Sequence, residues 1–146
     1  MVKKIPLIFN PSAHANKGSQ LADEIRKVST NIELIETKSF DHLKELVEGY
    51  VKDGIENICV AGGDGTINAV IDSILGTEIN LGVFPTGTMN LFAREMGLPL
   101  NNIKDCWNVI EKGKTKKIDN FKAGDSIFVQ VAGVGFDAKI IKETSW

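Results

Sequence analysis

The segment Gly62-Gly63-Asp64-Gly65-Thr66 gathers glycines, a carboxylate and a hydroxyl into five consecutive residues. Glycine admits positive φ and close backbone approach, and a helix opening at such a turn adds unpaired N–H groups and the positive end of its dipole. Together these make a seat for phosphate, into which Asp64 brings a negative charge that needs a task. A turn with no ligand would need one glycine or two. A β-hairpin around Asp64-Gly65 is disfavoured, because Ile67, Val70, Ile71, Ile74 and Leu75 fall at helical rather than alternating spacing. Pro85-Thr86-Gly87-Thr88-Met89-Asn90 repeats the theme. Thr86, Thr88 and Asn90 offer hydroxyl and amide groups to a ligand or to phosphate oxygens, and Gly87 lets the backbone come near. Alone, that segment reads equally well as a hydroxyl-capped turn opening a helix. Asn10-Pro11-Ser12 alone reads first as a turn with an N-cap. Beside the other two loops, Asn10 becomes a candidate ligand contact and Lys17 a candidate phosphate partner.

Such loops act together only if their flanking elements bring them to one edge. Residues 5–9 form an apolar run stopped by Asn10-Pro11 and read as a buried strand. From Gly18 onward, Leu21, Ile25 and Val28 share a helical face opposite Asp23, Glu24, Arg26 and Lys27. Residues 32–38 partly alternate and form a second strand. Phe40, Leu43, Leu46, Val47, Tyr50 and Val51 then recur at helical spacing, with Ser39 as N-cap and Gly54 as stop. Residues 57–61 make a third strand, followed by the helix of Ile67 to Leu75, closed by Gly76. Residues 79–85 make a fourth. Leu91, Phe92 and Met96 suggest a short helix, and Ile103, Cys106, Trp107 and Ile110 another, ended by Gly113.

This alternation predicts a layered, Rossmann-like α/β domain with a largely parallel sheet. With right-handed crossovers, the loops after all four strands leave at the same carboxyl edge, where open α/β sheets bind ligands. Asn10, Thr37, Gly62 and Pro85 would begin those loops. After Gly113 the pattern changes to extended segments separated by Ala123-Gly124-Asp125, which marks the start of a different architecture. About twenty residues remain beyond that point, too few for an independent core.

At 146 residues, 42% hydrophobic and 25% charged, the chain has the size and composition of one globular domain. A net charge of -2 gives no general attraction to nucleic acid or to an anionic membrane. The one basic cluster, Lys112, Lys114, Lys116 and Lys117, reads as a solvated linker. Cys59 and Cys106 sit in apolar surroundings without metal-ligand spacing, as buried thiols of a reducing, cytoplasmic compartment would. The first nine residues are charged at the start, but their apolar run is too short for a signal peptide, and no run approaches the roughly 18 apolar residues of a membrane span. Lipid, if met, is met from the aqueous side. His14 and His42 have no metal or nucleophile constellation around them and read as surface residues. No Ser/His/Asp set, zinc-protease motif, P-loop or dinucleotide fingerprint is present; Gly133-Val134-Gly135 lacks the third glycine and the helix such a fingerprint needs.

As an ordered set, FNPSA (9–13), VAGGDGTINAVI (60–71) and GVFPTGTMNLFARE (82–95) resemble the catalytic domain of the diacylglycerol kinase family, in particular its soluble bacterial lipid kinases. KIDNFKAGDSIFVQVAGVGFDA (117–138) is similar to the family's crossing into a second, β-rich lipid-binding domain. The resemblance implies an NAD kinase/phosphofructokinase-like nucleotide domain over residues 1–124, then the opening of a truncated β-sandwich over residues 125–146. It implies ATP as donor, Mg²⁺ and a diacylglycerol-like hydroxyl as acceptor, with peripheral membrane contact.

Carried over, the nucleotide site comprises Asn10, Thr37, Gly62, Gly63, Asp64, Gly65, Thr66, Ile67, Asn68, Gly87, Thr88 and Asn90. Asp64 is then the catalytic candidate, holding Mg²⁺ directly or through water, or facing the attacking hydroxyl. Two positions depart from the family pattern: His14, where many relatives have glycine, and Leu91, where many have aspartate. An NAD kinase-like enzyme shares Gly-Gly-Asp-Gly but fits the Pro85 segment less well. A noncatalytic nucleotide-binding module fits a chain with so little of the second domain. An apolar edge of Phe128, Val129, Val131 and Phe136 predicts pairing with another copy.

Overall fold

The structure is a computed structural model and describes residues 4–11, 18–100 and 102–129. Lys17, His14, Val131, Phe136 and the Gly133-Val134-Gly135 segment lie outside the described residues. In chain order the elements are β1 (Ile5–Phe9), α1 (Gly18–Val28), β2 (Ile32–Glu36), α2 (Phe40–Lys52), β3 (Asn57–Gly62), α3 (Asp64–Ile74), β4 (Asn80–Pro85), α4 (Leu91–Glu95), α5 (Ile103–Glu111), β5 (Phe121–Ala123) and β6 (Ser126–Phe128). The first four strands form one parallel sheet in the order β2-β1-β3-β4. The expected α/β architecture is therefore observed.

Strand alternation divides the apolar side chains between two faces. Leu7, Phe9, Cys59, Ala61 and Phe84 pack with Ala22 and Ile25 of α1 and Cys106 and Trp107 of α5. Ile8, Ile58, Val60 and Val83 pack with Leu43 and Val47 of α2 and Ile67, Val70 and Ile71 of α3. The central strands β1 and β3 are covered on both faces, which is why they read as continuous apolar runs. Each fully buried large side chain here, Phe9 or Phe84 for example, contributes about 1.5–3 kcal/mol through removal from water. Both cysteines are free and buried; burial pushes the Cys59 thiol up to about 12 and that of Cys106 up to about 11.

Some boundaries differ from expectation. Gly62 and Pro85 do not begin loops; they are the last residues of β3 and β4 and pair with each other. Helix α3 begins at Asp64 with Gly63 as its N-cap, so Asp64, Gly65 and Thr66 form its first turn. Phe40 and Leu75, expected on buried helix faces, are 58% and 44% exposed. Phe40 is the first residue of α2, directly after its N-cap, and Leu75 leaves helical geometry as the C-cap of α3 (φ -58°, ψ 132°). Ser39 does cap α2, its hydroxyl accepting the His42 N–H at 3.1 Å.

The extended segments after Gly113 form an antiparallel hairpin, β5 against β6, with Phe121 stacked on Phe128 at 5.7 Å. Gly124 takes φ +61° in its two-residue turn, a conformation that favours glycine. Phe128 and Val129, expected at an exposed edge, are half-buried, and Val129 packs against the α2/α3 side of the core.

Candidate functional site

The strand order reverses between β1 and β3, so the crevice outside their carboxyl ends is the switch point at which open α/β sheets bind ligands. Asn10 follows β1, the Gly63–Asp64 junction follows β3, Thr37 follows β2 on one side, and the Thr86 segment follows β4 on the other.

The last two strands deliver their loops into direct contact. The Thr86 N–H donates to Gly62 O at 3.0 Å, extending the β3–β4 pairing one step beyond the strands. Gly63 and Gly87 then meet backbone to backbone: a Cβ on Gly87 would lie 2.5 Å from Gly63 Cα, and one on Gly63 would lie 3.3 Å from Gly87 Cα. Gly87 therefore cannot become alanine without displacing main chain. Gly62 is confined differently, because a Cβ there would run into the Thr66 side chain. Gly65 is different again. It has no positive φ, and a Cβ there would meet nothing within 4 Å, so internal packing gives no reason for glycine at that place.

Asn90 shapes the second loop from within. It is buried, holds left-handed geometry at φ 50°, ψ 46°, accepts the Gly87 N–H at Oδ1 (2.9 Å) and donates from Nδ2 to Gly87 O (2.8 Å). Asparagine tolerates this backbone region better than most residues and supplies both hydrogen-bond roles. Arg94 closes the far side, its Nε donating to Met89 O at 2.9 Å.

Asp64 reaches across from α3. Its Oδ2 accepts the Leu91 N–H and its Oδ1 the Phe92 N–H, each at 3.0 Å, so the carboxylate sits on the opening turn of α4. The sequence pointed to Asp64 but not to these partners. The one hint was an acidic side chain in a glycine turn and a short helix without its own side-chain cap.

The other candidates separate by place. Thr37 is buried at the end of β2, its N–H donating to Phe9 O at 2.8 Å and its hydroxyl to Ser39 O at 3.0 Å. Thr88 is exposed beside Met89. Ile67 lies wholly in the core between the sheet and α3, so its side chain faces away from the loop edge. Asn68 turns towards the hairpin and donates from Nδ2 to Ile127 O at 3.0 Å.

Among the described residues no group of three or more His, Cys, Asp or Glu is arranged to hold a metal ion. Mg²⁺ bound together with phosphates needs only one or two protein carboxylates. A single carboxylate such as that of Asp64 would meet that need, while the described residues form no dedicated cage of side chains. A shallow hollow lined by His42, Glu45, Leu46, Gly49, Tyr50 and Asp53 lies on α2 and contains none of the candidate residues. Burial and the Glu33 carboxylate raise the Tyr50 phenol there. No helix among the described residues is long and apolar enough to cross a membrane.

A parallel four-stranded sheet, with two glycine loops meeting at the carboxyl ends of β3 and β4 beside the switch point, defines an α/β protein of the open-sheet class. The sequence profile of the diacylglycerol kinase catalytic domain matches residues 4–123, and the chain belongs to that family. Among its relatives, a diacylglycerol kinase of Mycobacterium tuberculosis is 34% identical over 102 residues, covering 66% of this chain and 33% of the relative. One from Staphylococcus carnosus is 28% identical over 151 residues, covering 99% of this chain and 49% of the relative. The crystal structure of a diacylglycerol kinase from Bacillus anthracis superposes with a TM-score of 0.73 at 26% identity, over 86% of this chain and 49% of that one. The chain thus spans a third to a half of the length of these relatives.

Proposed function

We propose that the chain is the nucleotide-binding part of an ATP-dependent lipid kinase that transfers the γ-phosphate to the hydroxyl of a diacylglycerol-like lipid. The family match over residues 4–123 carries this reading, and the contact between the two glycine loops supports it with a physical seat for the triphosphate. Backbone N–H groups at the start of α3 face the phosphates, and the open position at Gly65 leaves room for them. Asn10, Thr37, Thr66, Thr88 and the Gly87 segment border the nucleotide. Asn90 contributes by holding Gly87 in place.

In the transfer, the lipid oxygen forms a bond to the γ-phosphorus, the bond to the ADP oxygen breaks, and the hydroxyl proton leaves to a base. Mg²⁺, when bound, would offset the negative charge that accumulates on the phosphate oxygens, and Asp64 is the side chain that would hold it, directly or through water.

The test is phosphate transfer from γ-labelled ATP to dispersed diacylglycerol, with NAD as a parallel acceptor. Labelled lipid with unlabelled NAD is the expected result. Labelled NAD would overturn the lipid assignment in favour of an NAD kinase-like enzyme, and nucleotide binding without transfer to either acceptor would assign this chain a binding role alone.

A further inference from the structure

Asp64 stands where two helix starts converge. It is the first residue of α3, and its oxygens accept the Leu91 and Phe92 N–H groups that open α4. Helix starts carry partial positive charge from unsatisfied N–H groups and repel each other when brought together. Here the fold forces the approach: Thr86 N–H is bonded to Gly62 O, and Gly63 touches Gly87 with no side chain between. Neither helix start has a side-chain cap of its own, since the N-caps Gly63 and Asn90 make no capping bond. Resting on the nucleotide reading above, we infer that Asp64 is a positioning residue: its carboxylate latches the β4–α4 loop onto the β3–α3 loop and so sets the phosphate seat before any ligand or metal arrives.

The latch explains a carboxylate in a seat built for phosphate. Its charge faces the α4 N–H groups, and two charge-assisted hydrogen bonds hold it there. The α3 N–H groups beyond it remain oriented by their helix, beside the open Gly65 position. A carboxylate retained only as a metal ligand would not need to meet the backbone of a second loop 27 residues further along the chain. Asp64 thereby acts through the Gly87 loop, and this part of its action is independent of Mg²⁺.

The test compares wild type with Asp64→Asn, which keeps one acceptor oxygen and presents an NH₂ to the other N–H, and with Asp64→Ala, which removes both bonds. Amide exchange at Leu91 and Phe92 is followed by NMR, and the Kd for ADP is measured by calorimetry in EDTA and in Mg²⁺. The latch predicts exchange on the order of tenfold faster for one lost charge-assisted bond, and faster still in the alanine variant. It also predicts that ADP binding already weakens in EDTA, and by at least the same factor in Mg²⁺. Cys106→Ala, buried on the far face of the sheet, controls for lost stability and is expected to leave ADP affinity unchanged.

Unchanged exchange at Leu91 and Phe92 would overturn the latch. Weakening seen only with Mg²⁺ would return Asp64 to a metal ligand, and faster exchange with unchanged affinity would leave it a structural cap without a positioning role. If wild type binds no ADP in either buffer, the nucleotide reading falls, and with it the positioning of phosphate, while the exchange data still decide whether the two loops are latched.

Discussion

Gly87 has no room for a side chain, because the atom a Cβ would strike is main chain of Gly63 rather than a movable side chain. Gly87→Ala is expected to cost about 1–3 kcal/mol, as overpacking does, and to lower nucleotide affinity by parting the two loops. Gly65→Ala meets no internal obstacle, so it should leave the melting temperature nearly unchanged while weakening nucleotide binding. Equal loss of stability in both variants would refute that distinction. Cys59 gives a pH signature. Its thiol ionises near 9 when unfolded and at about 12 when folded. The unfolded chain therefore loses its proton first, and the stability contributed below pH 9 is lost as pH rises towards 12. The slope is about 1.4 kcal/mol per pH unit for this one group. Urea midpoints measured between pH 8 and pH 11 check it, with a shallower fall expected for Cys59→Ala. At this scale the residue types were legible: glycine, aspartate and asparagine announce turns and polar chemistry by their own properties. The partners were not, since whether Asp64 meets a metal or the Leu91 N–H depends on how two segments 27 residues apart pack.

Among the elements, the hairpin is tied to α3 by a side-chain hydrogen bond. Asn68 lies in the glycine motif and reads as a ligand contact, yet its amide reaches Ile127 O in β6. Asn68→Ala should loosen the hairpin at a cost of about 1 kcal/mol and speed amide exchange in Phe121–Ala123 and Ser126–Phe128. A variant with an unchanged hairpin and a large loss of nucleotide affinity would place Asn68 at the ligand instead. The strands and the longer helices were readable because burial on both faces of a parallel sheet and on one face of a helix imposes distinct apolar periods. Phe40 and Leu75 were misplaced because a period says nothing about where a helix ends relative to the layer it covers. The hairpin turn was legible in Ala123-Gly124-Asp125. Its anchoring was not, as the bond joins side chain to backbone across 59 residues.

For the whole molecule, the order β2-β1-β3-β4 turns three short polar segments into one edge, and membership of the diacylglycerol kinase catalytic family supports the proposal that this edge handles phosphate. The switch point could be anticipated once four parallel strands were read, because handed crossovers leave few arrangements. The meeting of Gly63 with Gly87 could not, since it depends on how the turns after β3 and β4 close against each other rather than on any local pattern. Calorimetric titration of the 146-residue chain with ATP and Mg²⁺ tests whether this edge binds adenine nucleotide. One saturable site is expected, with ligand at a hundredfold excess over Kd stabilising the folded chain by about 2.7 kcal/mol in a parallel melting experiment. A folded sample that takes up no adenine nucleotide and melts at the same temperature with and without it would rule out a nucleotide site on this edge.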